Sequence, residues 1–112
     1  MASRVIGYNH EQVVELSLRD FVSGHPAGYN YWVDIWDNAA EELALLEKPL
    51  GLHHLAIEDA AHGGHRPKVE DFGKQNLFVI VNALVVDDER TKKSQVSLFV
   101  LKDVVVTVRR PE

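Results

Sequence analysis

The stretch Gly51 to Lys68, GLHHLAIEDAAHGGHRPK, gathers four of the chain's six histidines beside two adjacent carboxylates. His54, Glu58 and His62 recur every four residues, which on a helix stacks imidazole, carboxylate and imidazole along one face. That arrangement can hold a divalent ion. A zinc site, however, needs three or four convergent ligands, as in His-Glu-x-x-His, and His53, His54, His62 and His65 do not have that spacing. The acidic run Asp87-Asp88-Glu89 is the better candidate for a cation, because magnesium prefers oxygen ligands, keeps several waters and needs only one or two carboxylates. Against it stands the plain reading of such a run as a solvated turn. Catalysis has less support. Glu58 and Asp59 diverge by about 100° on a helix and cannot face each other as an acid/base pair. Neither a Gly-x-Ser-x-Gly elbow nor a Gly-rich phosphate loop is present. The chain reads as a non-enzyme.

The elements that would position these groups follow from periodicity. Leu52, Leu55, Ala56 and Ala60 form an apolar stripe at helical spacing, and Gly63-Gly64 supplies a stop, so the histidine-rich stretch is a short amphipathic helix. One of its carboxylates, Glu58 or Asp59, is expected to pair with Arg66 or Lys68 across Pro67, tying the helix to its exit strand. Before it, Asp37 or Asn38 can cap a helix with Glu41 in the manner of a capping box. The stripe of that helix is Ala39, Ala40, Leu43 and Leu46 with Leu45; Glu41, Glu42, Glu47 and Lys48 face water, and Lys48-Pro49 stops it.

Arg4 to Tyr8 and Gln12 to Leu18 read as a hairpin turning near Asn9-His10, and Phe21 to Gly28 as a loop. Tyr29 to Trp36 alternates with large rings on both faces, which predicts a strand covered on both sides. Leu77 to Val86, Val96 to Leu101 and Val104 to Val108 form an antiparallel meander, with the charged segment Asp87 to Ser94 as its first turn and Lys102-Asp103 as its second. The layout is α+β: a mixed, largely antiparallel sheet with helices packed on one face.

Composition narrows the partners. The 112 residues are one domain's worth, and 46% hydrophobic with 26% charged residues is ordinary for a globular protein. A net charge of -5 argues against nucleic acid, which requires clustered Lys and Arg. With no cysteine, disulfides and thiolate metal sites are excluded. No window approaches eighteen consecutive apolar residues, so no membrane span is expected within these residues.

The ordered run Leu52-His53-His54-Leu55-Ala56-Ile57-Glu58-Asp59-Ala60 and then His65-Arg66-Pro67-Lys68-Val69-Glu70 resembles the cytoplasmic amino-terminal domain of CorA-type magnesium transporters. In that family a Leu-His-Pro-Leu-Ala-hydrophobic-Glu-Asp run precedes a Gln-Arg-Pro-Lys run. Trp32-Val33-Asp34-Ile35 is similar to the family's Trp-Ile-Asp-Leu strand, Leu77 to Val81 to its Leu-Phe-hydrophobic strand, and Val104 to Arg109 to its closing strand. The resemblance covers Tyr31 to Arg109. His54 stands where the family has proline, and Gly64-His65 replaces the residues before Arg66.

The resemblance implies an α/β/α sandwich whose further helices lie beyond Glu112, leaving the second sheet face partly bare. It also implies a pentamer at the cytosolic face of the membrane, a carboxy-terminal membrane segment with a Gly-Met-Asn signature, and weak regulatory magnesium between subunits. The expected function is the regulatory domain of a transporter for magnesium or cobalt. The alternatives are a free-standing binding module of the same fold and a histidine-dependent metalloprotein.

Overall fold

The computed structural model describes residues 2–37 and 39–111. In chain order the elements are β1 (Ser3–Tyr8), β2 (Val13–Leu16), α1 (Leu18–Ser23), β3 (Asn30–Trp36), α2 (Ala40–Leu50), α3 (His54–Ala61), β4 (Lys68–Asp71), β5 (Leu77–Asp87), β6 (Arg90–Val100) and β7 (Val104–Pro111). The strands form one sheet in the order β2-β1-β3-β7-β6-β5-β4. Every neighbouring pair is antiparallel except β3 and β7, which run parallel from Tyr31↔Val104 to Trp36↔Arg109. This is the α+β mixed sheet expected.

The local chemistry of the first hairpin is clear. Asn9 Oδ1 accepts from the backbone N–H of Glu11 at 2.8 Å and of Gln12 at 2.9 Å, so its side chain builds the turn between β1 and β2. Past β2, the segment read as a loop from Phe21 begins with a short helix. Ser17 caps α1 by accepting from Asp20 N–H at 3.1 Å, and α1 buries Leu18 and Phe21. One turn and a half of helix is too short for its apolar period to stand out in the sequence.

In α2 the buried stripe is Ala39, Glu42, Leu43 and Leu46. Ala40 and Leu45 lie on the exposed side, and Glu42 takes the position expected of an apolar residue; its Oε2 is buried without a hydrogen-bond partner among the described atoms. The N-cap is Ala39 and has no side-chain cap. Asp37 adopts a φ of 65° and serves the turn instead, while the Asn38 cap lies outside the described residues. Pro49 sits inside the last turn, and the helix closes at Gly51, whose φ of 65° is the left-handed C-cap that glycine favours. Helix α3 buries Leu52 at its approach, then Ala56, Ile57 and Ala60, and leaves Leu55 exposed. It ends at Ala61 with His62 as an extended cap, one residue before Gly63-Gly64.

All helices cover one face of the sheet. That face contributes Val5, Tyr31, Val33, Ile35, Phe78, Ile80, Phe99, Val106 and Val108 to the core. The other face is uncovered, so the expectation that both sides of β3 are buried is corrected: Trp32 is 44% exposed, as are Val69 at 67% and Val81 at 41%. The alternation expected of β3 holds, and only one of its two faces is covered by the described residues.

Gly7 shows how closely the covered face is packed. It lies directly opposite Tyr31, and a Cβ at Gly7 would sit 2.6 Å from Tyr31 Cε1 and 3.0 Å from Val14 Cγ2. Tyr31 cannot swing away, because its hydroxyl donates to Pro26 O at 2.6 Å and its ring is buried. Gly7→Ala is therefore expected to destabilise the fold by about 1–3 kcal/mol, read by urea unfolding; a loss within error of zero would show that the ring has room to move.

Candidate functional site

Three places bring the chemistry-bearing residues together. The first is the end of α3 and its exit into β4. Asp59 Oδ2 receives Lys68 Nζ at 2.6 Å, and Glu70 Oε1 lies 2.8 Å from the same nitrogen. The expected tie between helix and strand is thus made by Asp59 with Lys68; neither Glu58 nor Arg66 takes part in it. The loop between them is sewn to β6 by Gln95, a side chain only 1% exposed. Its Oε1 accepts from His65 N–H at 3.0 Å, and its Nε2 donates to His62 O at 3.4 Å. Sequence reasoning missed Gln95. The available signal was an amide on the covered face of a strand, where only a bonded polar group is tolerated.

The histidines are spent locally. His53 caps α3 by accepting from Leu55 N–H at 3.2 Å and stacks on Phe72 with ring centroids 4.1 Å apart. His54 lies 3.5 Å from Glu58 one helical turn along α3 and 3.5 Å from Glu47 on α2. His62 turns its Nδ1 to Glu58 O at 2.8 Å, and His65 Nε2 is 3.7 Å from Asp59. Half of the predicted imidazole–carboxylate–imidazole stack forms. Among the described residues no three His, Asp or Glu side chains come together as a group able to hold a metal ion.

Hydrogen bonds to Asp59 and then to Glu70 hold the Lys68 ammonium above its ordinary pKa of 10.5, and burial with nearby Tyr29 raises Tyr31 above 10.0. Both groups keep their protons more tightly folded than unfolded. Their stabilisation is whole below the unfolded pKa and is lost as pH rises through the folded value. Unfolding free energy is therefore expected to be flat with respect to these two groups up to about pH 9.5 and to fall from about pH 10 upward. Lys68→Met should be less stable by about 1 kcal/mol or less at neutral pH, with the difference from the parent shrinking above pH 10.5. Denaturant titrations across that range check this, and a constant difference would contradict it.

The second place is the acidic tip. Asp88 and Glu89, with φ of 42° and 71°, are the two central residues of the tight turn joining Asp87 to Arg90. Two successive left-handed residues match the twist of the strands they connect. The turn is thus only two residues long, and Arg90 to Ser94, read as part of it, pair as β6. Asp87, Asp88 and Glu89 are all exposed.

The third place lies on the uncovered face and was not foreseen. Parallel pairing sets β3 beside β7, and the polar letters of two segments far apart in sequence meet there. Trp32 Nε1 donates to Thr107 Oγ1 at 2.8 Å, Thr107 Oγ1 donates to Asp34 Oδ1 at 2.8 Å, and Arg109 Nη2 donates to Asp34 Oδ2 at 2.7 Å. The Arg109 guanidinium also lies 5.4 Å from the ring centre of Trp36. These side chains and Val96 line a shallow depression of about 290 Å³. Thr107 and Arg109 interrupting a valine-rich strand were the only hint.

No described helix is long and apolar enough to cross a membrane. The fold is similar to the complete structure of the CorA magnesium transporter from Methanocaldococcus jannaschii, with 18% identity and a TM-score of 0.71 over 96% of this chain and 32% of that one. It is also similar to the full-length CmaX protein, with 16% identity and a TM-score of 0.77 over 100% of this chain and 35% of that one. The soluble domain of CorA from M. jannaschii matches with 19% identity and a TM-score of 0.68 over 99% and 41% of the two chains. The chain therefore spans about a third to two fifths of the proteins whose fold it shares. A comparison with curated proteins finds no match. The model of the CorA-like Mg2+ transporter protein family matches residues 27–112, which takes in both partners of the β3–β7 pair, the Asp59–Lys68 tie and the acidic tip; the chain belongs to that family.

Proposed function

We propose that this chain is the cytosolic regulatory domain of a CorA-like transporter for a divalent cation, magnesium or cobalt, acting without catalysis. The observation that carries the reading is the family match over residues 27–112. The fold shared with a CorA soluble domain and the uncovered apolar face, suited to a further layer of structure, support it.

In this reading the domain works as part of a homo-oligomer, a pentamer as the family resemblance implies. A weakly bound magnesium ion between subunits favours the closed assembly, and its loss shifts the pore's equilibrium. Asp87, Asp88 and Glu89 fit magnesium in donor chemistry, being exposed oxygen ligands with no ion-pair partner among the described residues. One copy alone does not assemble a group of ligands, so water or a neighbouring copy would complete the shell. The ion's chemistry here is charge neutralisation; the chain's part is to hold the carboxylates at the end of a tight, two-residue turn.

Limited proteolysis of the assembled protein with and without magnesium tests this. Magnesium is expected to slow cleavage, and Asp88→Asn with Glu89→Gln to raise the magnesium needed by about tenfold. Unchanged cleavage, together with a reading frame after Glu112 that lacks two apolar helices, would refute the proposal.

A further inference from the structure

Beyond the body of the sheet the β5–β6 hairpin runs on as a bare ribbon. Pairing of β5 with β4 ends at Ile80↔Lys68, and pairing of β6 with β7 ends at Ser94↔Pro111. From there to the tip the two strands pair only with each other. Both outer edges of the ribbon are open, and Leu84, Val85 and Val86 are 67%, 49% and 74% exposed. A lone two-stranded ribbon is marginal in water, and an open apolar edge is a template for another chain. This ribbon is built to be covered.

Its charges indicate the covering partner. The tip is acidic, while at the ribbon's base Gly64, His65, Arg66, Pro67, Asn82 and Lys93 line a concavity of about 360 Å³ with no carboxylate among them. Asp59, which approaches His65 at 3.7 Å, is already engaged by Lys68 at 2.6 Å. Among the described residues neither Arg66 nor Lys93 has an ion-pair partner, nor do the three tip carboxylates. Lys93 shares its ribbon face with Leu84, its direct cross-strand neighbour, so one surface carries both the apolar length and the positive end.

We propose that the ribbon is an assembly arm: the Asp87-Asp88-Glu89 tip of one copy seats in the His65/Arg66/Lys93 concavity of a second copy, which also covers Leu84 and Val86 beside the seated tip. Each copy gives one tip and takes one, a head-to-tail contact that closes a ring when the rotation between copies allows. The inference rests on the homo-oligomer reading above and names the surface that makes it.

The native sequence has no cysteine, which makes cross-linking clean. Mixing an Asp87→Cys copy with an Arg66→Cys copy of the assembled protein is expected to give an inter-copy disulfide about tenfold faster than Asp87→Cys with Arg19→Cys on α1. Asp87→Lys/Glu89→Lys and Arg66→Glu/Lys93→Glu should each weaken association about tenfold in sedimentation, and a mixture of the two should regain it, because the tip of each variant then matches the concavity of the other. That regain cannot come from copies that merely misfold, and circular dichroism of each variant checks the fold. Copies that associate without the preferred cross-link overturn the docking and leave the oligomer standing. Copies that stay monomeric at all concentrations overturn both.

Discussion

Phe99→Ala is expected to lower the unfolding free energy by about 3–5 kcal/mol, a large share of the 5–15 kcal/mol that holds a domain of this size together. Phe99 and Phe78 are directly paired across β6 and β5, both fully buried, with ring centroids 4.9 Å apart in the middle of the covered face. Truncation removes the transfer energy of the ring and leaves a cavity whose walls are held by the sheet on one side and helices on the other, so little collapse can offset it. Thermal unfolding should drop by more than about 10 °C. Leu98→Ala, one residue away on the uncovered face, is the control: its side chain is already partly in water, and about 1 kcal/mol is expected. Equal losses at the two positions would mean that the second face is as well packed as the first.

The second large effect is expected at Asp34. Its side chain is only 17% exposed and accepts from Thr107 and Arg109, with Trp32 bonded in turn to Thr107. Asp34→Ala removes two charge-assisted bonds and leaves a guanidinium and a hydroxyl without their acceptor, at a cost of about 2–3 kcal/mol. Arg109→Ala should cost less, since that side chain is half in water, and the double variant should fall short of the sum because the two share one bond network. Asp34→Asn separates the parts: it retains an acceptor for Thr107 and loses the charge facing Arg109. Urea unfolding of the four proteins completes the cycle. Additive losses would show that Asp34 and Arg109 act independently and do not clamp β3 to β7.

Much of this was legible in the residues. The strand at Asn30–Trp36, the helices around Leu43 and Ala56, the meander from Leu77 onward and the tie between helix and strand across Pro67 all follow from spacing, because each is decided by neighbours within a few turns of chain. Even where the reading went wrong, the cause was local: α1 is too short to show a period, and the ring on Trp32 looks the same in a strand covered once or twice.

Three things needed the folded chain. That β3 lies parallel to β7, bringing Trp32 and Asp34 to Thr107 and Arg109, depends on a pairing between segments about seventy residues apart, whose closure no local preference encodes. That Gln95 and Glu42 are buried depends on which elements pack over them. And that an acidic tip stands free at one end of a ribbon with a basic concavity at the other depends on where the neighbouring strands β4 and β7 stop. Side-chain spacing along one element is set by its own geometry and can be counted from the letters, whereas a contact between distant elements is set by the competition of all possible pairings for the same buried surface, and only the whole chain resolves that.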